Sequence, residues 1–428
     1  MSSVNLVNNN ISVLRNSPSK YVYKILQLLN KRITLIAEKP KIQSHVQIGL
    51  LLSRQNAPDT VLQSLNAKYL SNRRLIKKCQ FNGGDTSMTY DEDMLYFKSS
   101  CLHVKDSVDI INEMANAIYN SHPDQPSLNK DNILLTNVNE QYEKDFILNN
   151  VFRRNNNMTL HNYISQHLKT SQNTILSVSG IPLSQLPNLT NRIHSIFKPH
   201  LLPTFNNNNN YTNTNHIISP IDKRIYLSHQ AHTNIKLLLP SFKWNHSLTP
   251  SLTVLTEIFG NATPFSVGGP GKGIFSRSYE HILKNNPHII SCKCMHYPNK
   301  SFGIFGLDFT IRNNELHSVL TMINTLKGFV NTITQEELTR AKNILTRKIL
   351  FNLNNNAMRL EDATRSFFYF NRIIGNAYTS MINSVTLHSI SSAMTSLLRN
   401  KHNSMLFVSG NYNNINHIPS ITSLINLL

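Results

Sequence analysis

The chain has 428 residues, of which 40% are hydrophobic and 15% charged, and its formal net charge is +19. That length suits two or three cores of ordinary size, and no apolar run reaches the roughly 18–20 residues that cross a bilayer. The charge invites an acidic partner, but there is no zinc finger, aromatic-interleaved basic motif or nucleic-acid module, so the excess reads as diffuse surface charge plus a basic leader, and nucleic acid is not an expected partner.

Residues 1–37 contain no Asp or Glu, and they hold Arg15, Lys20, Lys24, Lys31 and Arg32 among Ser and apolar residues. Tyr21 to Arg32 places Val22, Ile25, Leu26 and Leu29 on one helical face. A basic, acid-free, amphipathic start is what mitochondrial import requires, so residues 1–32 are expected to be a targeting leader; the plain alternative is a surface helix.

Ile33 to Ala37 and His45 to Leu52 read as short strands, and Val61 to Leu70 and Arg73 to Gln80 as helices. Asn82-Gly-Gly-Asp85 is a turn signal. Met94 to Cys101 reads as a strand, Val104 to Tyr119 and Ile133 to Phe152 as helices, Thr174 to Gly180 as a strand and Pro187 to Phe197 as a helix. Helices layered on a sheet are expected over 33–205. The Asn-rich stretch 206–216 is too polar to pack and is expected to be a linker or exposed loop.

The second half, 217–428, resembles the first in element order. Ile235 to Leu239 reads as a strand, Ser251 to Phe259 as a helix, and Tyr279 to Leu283 as more helix. Strands follow at Ile289 to Met295 and Ile304 to Ile311, then helices at Leu316 to Thr332 and Thr334 to Asn352. A late strand, Leu406 to Gly410, matches Thr174 to Gly180. The expected fold class is α+β or α/β, with two tandem, similar domains, each a mostly antiparallel sheet packed against helices.

Four cysteines, Cys79, Cys101, Cys292 and Cys294, are too few for a disulfide framework at this length and point to a reducing compartment. Cys292, Cys294 and His296 alternate, so a strand would turn all three to one face. No fourth ligand stands nearby, and ordinary buried thiols are the preferred reading.

The sharpest feature is Phe265 to Tyr279, FSVGGPGKGIFSRSY, which holds four of the chain's 14 glycines. Gly268, Gly269, Gly271 and Gly273 give a segment able to adopt φ > 0 and to lie close to another extended chain. A P-loop is the competing reading, but Ser266 stands where its first glycine belongs and Gly273 follows Lys272 where Ser or Thr is needed.

This segment resembles the glycine-rich loop of alpha subunits of the mitochondrial processing peptidase, non-catalytic members of the pitrilysin-type metallopeptidases. The shared pieces are Gly268-Gly-Pro-Gly-Lys-Gly273 and the tail Ile274-Phe-Ser-Arg277. Thr334 to Asn343, Arg359-Leu-Glu-Asp362, Gly303-Ile-Phe-Gly306 and Gly83-Gly84 also look like family segments. The loop's opening departs from the family: Gly260-Asn-Ala-Thr-Pro264 stands where a run of glycines is usual, and Pro264 stiffens it.

The resemblance implies a substrate-recognition subunit, half of a bowl-shaped heterodimer in the mitochondrial matrix or on the matrix face of the inner membrane. Its partners would be a zinc-bearing beta subunit and the presequence peptides of imported proteins. The implied substrate-binding residues are Phe265, Ser266, Gly268, Gly269, Pro270, Gly271, Lys272, Gly273 and Phe275. Catalytic relatives carry H-x-x-E-H on a helix, with two imidazoles on zinc and the Glu activating water. Here the corresponding positions fall near Thr60, Gln63 and Ser64, so no catalytic residue, metal or other cofactor is expected in this chain. Glu140 and Glu143 lie near the place of a distal carboxylate ligand but read as solvated helix-face residues. Glu361 and Asp362 are candidates for local acidic character toward a basic substrate, although a structural pair is the preferred reading. The alternative function is a core structural subunit of ubiquinol–cytochrome c reductase, alone or combined with the peptidase role.

Overall fold

The computed structural model describes residues 22–39, 45–55, 57–120, 158–171, 173–202, 221–226, 231–262, 276–312, 332–411, 415–416 and 418–427. Two compact units emerge, one built from 1–210 and 351–377 and the other from 211–350 and 378–428. The linker 206–216, the helix expected at Ile133 to Phe152, the one expected at Leu316 to Thr332 except for Thr332 itself, and the segment 263–275 lie outside the described residues.

In the first unit the strands are β1 (Tyr23–Leu28), β2 (Ile33–Glu38), β3 (Val46–Ser53), β4 (Thr86–Tyr90), β5 (Met94–Cys101) and β6 (Thr174–Ser179), in the sheet order β1-β2-β6-β3-β5-β4. Only β2 and β6 run parallel; every other pair is antiparallel. Helices α1 (Asp59–Leu70), α2 (Arg73–Phe81), α3 (Ser107–Tyr119), the single turn α4 (Leu160–Tyr163) and α5 (Leu186–Phe197) complete its first 210 residues as described. Leu35, Ile48, Leu50 and Leu176 pack on one face of the sheet with Leu62, Leu65, Ile111 and Ile193 of α1, α3 and α5. The opposite face turns Ile36, Leu51, Tyr96 and Ile175 toward Phe368. Burial on both faces is why β2 and β3 read as near-continuous apolar runs and do not alternate.

Residues 22–32 correct the expectation that this stretch is an amphipathic helix. Tyr23–Leu28 is an edge strand paired with Ile33–Glu38, and Leu29, Asn30 and Lys31 make the turn with φ of 50°, 55° and 68°. Arg32 fixes that turn by donating from Nη1 to the Leu202 carbonyl at 2.7 Å and from Nη2 to that of Lys169 at 3.0 Å. Helical periodicity in a short run does not prevail when a neighbouring strand can take up its backbone hydrogen bonds and when Leu26 and Leu28, two apart, reach the core.

The second unit repeats the scheme. Its strands are β7 (Ile221–Tyr226), β8 (His232–Ser241), β9 (Asn261–Ala262), β10 (Ile289–Pro298), β11 (Gly303–Arg312) and β12 (Met405–Gly410), in the order β7-β12-β8-β11-β10-β9. Here β7 and β12 are the parallel pair. Five strands therefore correspond across the units, with β2-β6-β3-β5-β4 answering β7-β12-β8-β11-β10; each sheet adds one edge strand, at opposite ends. The remaining helices are α6 (Thr249–Phe259), α7 (Gln335–Asn354), α8 (Asn356–Phe370), α9 (Ala377–Asn383), α10 (Leu387–Arg399) and α11 (Ile421–Leu427). Leu252, Leu255 and Ile258 of α6 and Ile390 and Leu397 of α10 share a core with Leu237, Cys292, Phe309 and Val408 of the sheet.

One element departs from the expected division at 217. Helix α8 packs in the first unit, with the chain boundary inside α7. Arg359 of α8 carries it there: its Nε donates to Glu38 of β2, its Nη1 to the Leu353 carbonyl at 3.1 Å and its Nη2 to Asn356 at 2.8 Å. Glu38 also accepts from Ser179 at 2.7 Å. Both charges are buried, at 9% and 1% side-chain exposure, so each depends on the other for solvation.

Candidate functional site

All nine residues expected to bind substrate, Phe265, Ser266, Gly268, Gly269, Pro270, Gly271, Lys272, Gly273 and Phe275, lie outside the described residues. The base from which they spring is described on both sides. Helix α6 ends at Gly260, with φ 69° and ψ −166°, a conformation essentially restricted to glycine. Asn261 and Ala262 then pair with Lys293 and Cys292 of β10. The returning end comes back to the same place: a Cβ on Gly260 would lie 2.6 Å from Cβ of Ser276. The Gly260 carbonyl accepts from the amide of Cys294 at 3.3 Å and from Ser278 Oγ at 3.4 Å. Thus the described chain on the two sides of 263–275 meets at one pinched point, Gly260 against Ser276.

Arg277 locks the returning end. Its guanidinium, 3% exposed as a residue, reaches Glu337 through Nε at 2.7 Å and Nη2 at 2.8 Å. It also donates to Thr332 Oγ1 at 2.9 Å and to the Thr332 carbonyl at 2.6 Å. Glu337 stands at the start of α7, where it closes a reciprocal cap: its carboxylate accepts from the Thr334 amide at 2.8 Å, and Thr334 Oγ1 accepts from the Glu337 amide at 3.2 Å. Burial alone would raise this carboxyl. The Arg277 guanidinium and the Thr334 amide outweigh that and hold it at about 2. Two motifs 60 residues apart, Ser276-Arg277 and Thr334-Gln-Glu-Glu, therefore form one ion-paired clamp.

The other motif glycines have local explanations. A side chain at Gly84 would meet the Ser100 carbonyl, one at Gly303 that of Phe242 and one at Gly306 that of Leu237. They let strands and turns approach closely, a packing role.

Thr60, Gln63 and Ser64 sit on α1. Thr60 is exposed and the other two are half-buried. Ser64 Oγ donates to the Thr60 carbonyl at 2.9 Å. These side chains offer no imidazole or carboxylate, so they do not suit zinc, and Gln63 cannot take a proton from water. Glu140 and Glu143 lie outside the described residues. Among the described residues no group of three His, Cys, Asp or Glu could hold a metal ion.

Cys292 and Cys294 face the second core, and burial pushes the Cys292 thiol up to about 12 and the Cys294 thiol further in the same direction. His296, next in the alternation, is lowered to about 4 by burial, and its buried Nε2 has no hydrogen-bond partner. Neutral thiols and a neutral imidazole are core chemistry. All four cysteines are free and buried.

Of the acidic candidates, Glu361 accepts from Arg365 Nε at 2.9 Å, and Arg365 also reaches Asp91 at 2.7 Å. Asp362 is exposed to solvent, yet the protein mass around it raises its carboxyl to about 6, with Arg365 opposing and Glu361 reinforcing. The residue most clearly missed by sequence reasoning is Arg54, 1% exposed, which pairs with Asp59 and Glu92 and stands over the ring of Tyr90 at 5.8 Å. A charged residue at the end of an apolar strand, five before an acidic helix start, was the available signal.

Residues 157–345 match the family model of the Peptidase M16 inactive domain. The "Probable mitochondrial-processing peptidase subunit alpha" of Schizosaccharomyces pombe is 35% identical over 116 residues, 27% of this chain and 23% of that protein. The alpha subunit of the mitochondrial-processing peptidase of Neurospora crassa is 28% identical over 167 residues, 36% of this chain and 28% of that protein. The human alpha subunit is 26% identical over 152 residues, 35% and 29% of the two chains. The matched segments thus span between a fifth and a third of the length of these relatives. Among solved structures, the peptidase M16 inactive domain of Pseudomonas fluorescens superimposes with a TM-score of 0.67 at 13% identity, covering 91% of this chain and 98% of its own. A chain of complex III2 from Candida albicans gives 0.66 at 13% identity, covering 94% and 99%. The chain resembles the non-catalytic M16 proteins in sequence and has their fold.

Proposed function

We propose that this chain is the substrate-recognition, non-catalytic alpha subunit of a mitochondrial processing peptidase. The carrying observation is the pinched base at Gly260 and Ser276 with its Arg277–Glu337 clamp, supported by the likeness to alpha subunits in fungi and animals. In this reading the segment Phe265 to Phe275 receives an extended presequence. Its glycines present backbone N–H groups at a low steric barrier, and Phe265 and Phe275 supply apolar contact. Hydrolysis belongs to a zinc-bearing beta subunit, because Thr60, Gln63 and Ser64 on α1 can neither hold the metal nor activate water. The partner binds the extended peptide by strand addition and cuts it. The site of action is the mitochondrion, on the matrix side.

Presequences are basic, and a net charge of +19 opposes their approach. Glu361 is already engaged with Arg365, which leaves Asp362 as the exposed carboxylate of that pair and the partner as the main source of acid.

Reconstitution tests the proposal: this chain, its beta partner and a presequence peptide. Deleting Gly268 to Gly273 should lower kcat/KM at least tenfold, the loss of about 1.4 kcal/mol of transition-state binding, while gel filtration still shows the heterodimer. Unchanged cleavage would defeat the assignment. Zinc measured by atomic absorption should accompany the partner. The second reading, a core subunit of ubiquinol–cytochrome c reductase, draws on the shared fold with the Candida albicans complex III2 chain. Co-purification with cytochromes separates the two.

A further inference from the structure

The large positive charge is not absorbed by presequence binding, which it opposes. Part of it is concentrated on α2, Arg73-Arg-Leu-Ile-Lys-Lys-Cys-Gln-Phe81, a helix without a single acidic residue. Leu75 and Cys79 face the core, whereas Arg73, Arg74, Lys77, Gln80 and Phe81 are exposed. At 3.6 residues per turn, positions 73, 77 and 81 lie in one row with 74 beside it. Lys78 is set apart by its ion pair with Glu113 at 3.0 Å. Among the described residues no carboxylate pairs with Arg73, Arg74 or Lys77.

The row ends in bare apolar surface. Phe81 is 90% exposed, and Leu102, 43% exposed, lies against Asn82 and Gly83, the two residues that follow Phe81. The Leu102 amide donates to the Asn82 carbonyl at 3.0 Å, and a Cβ on Gly83 would lie 2.5 Å from Leu102 Cδ1. Acids on the neighbouring described elements are Asp85, held by Ser100 Oγ at 2.6 Å, Glu113, paired with Lys78, and Asp106 and Asp109 at the start of α3. An almost wholly exposed phenyl ring and a partly exposed leucine close to three cations that have no carboxylate partner among the described residues form a mixed basic and apolar surface, and covering its apolar part is favourable.

We propose that the Arg73, Arg74, Lys77 row with its Phe81–Leu102 tip is a docking surface for an anionic lipid bilayer. The cations meet headgroup phosphates, and the phenyl and isobutyl groups enter the boundary with the acyl chains. A soluble polyanion satisfies the cations but gives the Phe81–Leu102 tip no apolar layer. A bilayer satisfies both at once, and α2 needs no rearrangement to present them. The inference does not depend on the role of the glycine-rich segment.

Flotation of the full chain with vesicles of phosphatidylcholine alone, and of phosphatidylcholine mixed with phosphatidylglycerol, is the test. Binding is expected to the mixed vesicles only. Arg73→Gln, Arg74→Gln and Lys77→Gln together should weaken it about a hundredfold. Phe81→Ser alone should weaken it about tenfold and leave retention on heparin unchanged. Phe81→Trp in a Trp244→Phe background should shift its emission to the blue with mixed vesicles and stay unshifted with neutral ones. All substituted side chains on α2 are exposed, so thermal unfolding of those variants should match the parent chain and loss of binding would not reflect loss of fold. Equal binding to neutral vesicles, or no effect of the triple substitution, overturns the proposal. Sensitivity to the triple substitution with no effect of Phe81→Ser and no blue shift from Phe81→Trp also overturns it, and assigns the row to a soluble polyanion.

Discussion

Replacing Glu337 by Gln tests whether the Arg277 clamp holds the base of the glycine-rich segment. The two side chains, Arg277 and Glu337, are 4% and 14% exposed, so the substitution leaves a nearly buried guanidinium facing a neutral amide. Breaking a buried pair costs about 3–5 kcal/mol; an isosteric Gln keeps one acceptor, which brings the expected loss to about 2 kcal/mol. The electrostatics give the same scale. Holding the carboxyl at about 2 against an ordinary 4.5 corresponds to at most about 3 kcal/mol at neutral pH, reduced to about 2 by solvent at its exposed edge. Because the folded value lies below the unfolded one, this stability is complete above pH 4.5 and is lost as pH falls toward 2. The single tryptophan, Trp244, lies in the second unit together with the clamp and reports its unfolding in urea. Glu337→Gln should lower the stability read there by about 2 kcal/mol at pH 7 and abolish the loss between pH 4.5 and 2. A cycle with Arg277→Met should return a coupling of about 2 kcal/mol. Additive single substitutions, or an unchanged acid limb, would refute the clamp.

Gly260→Ala should destabilise the second unit by about 2–3 kcal/mol, since alanine strains at φ 69° and its methyl meets Ser276; pairing it with Ser276→Gly should recover only the steric part in urea unfolding. Arg359→Met, which strands Glu38, should cost the first unit about 3–5 kcal/mol by circular dichroism, and the double change with Glu38→Gln should cost less than the single one. His296 is neutral when folded and lowered to about 4, so unfolding gains a proton as pH falls below 6.5 and the second unit weakens by at most about 3 kcal/mol between pH 7 and 4. His296→Phe should remove that slope, which a Trp244-monitored pH series would detect separately from the lower window of Glu337.

Strands and helices with strong local signals were legible in the amino-acid order alone. Apolar runs at β2, β3, β6 and β12 and the amphipathic helices α3 and α5 follow from side-chain periodicity. The repeated element order was readable as duplication, and the equivalence of β2-β6-β3-β5-β4 with β7-β12-β8-β11-β10 gives it a topology. Thr60, Gln63 and Ser64 were visible as poor metal ligands without coordinates, because donor chemistry belongs to the residue type.

Position in space was not legible. Tyr23–Leu28 carries a helical spacing but becomes a strand, because a six-residue run takes its hydrogen bonds from whichever neighbour folding supplies. Helix α8 follows α7 in the chain yet packs in the first unit, drawn there by a charge pair between residues 321 apart. Ser276-Arg277 and Thr334-Gln-Glu-Glu look like separate motifs in one dimension and form a single clamp in three. Local chemistry fixes what each segment can become; pairing partners distant in the chain, and the need of every buried charge for a counter-charge, decide which of those outcomes is realised.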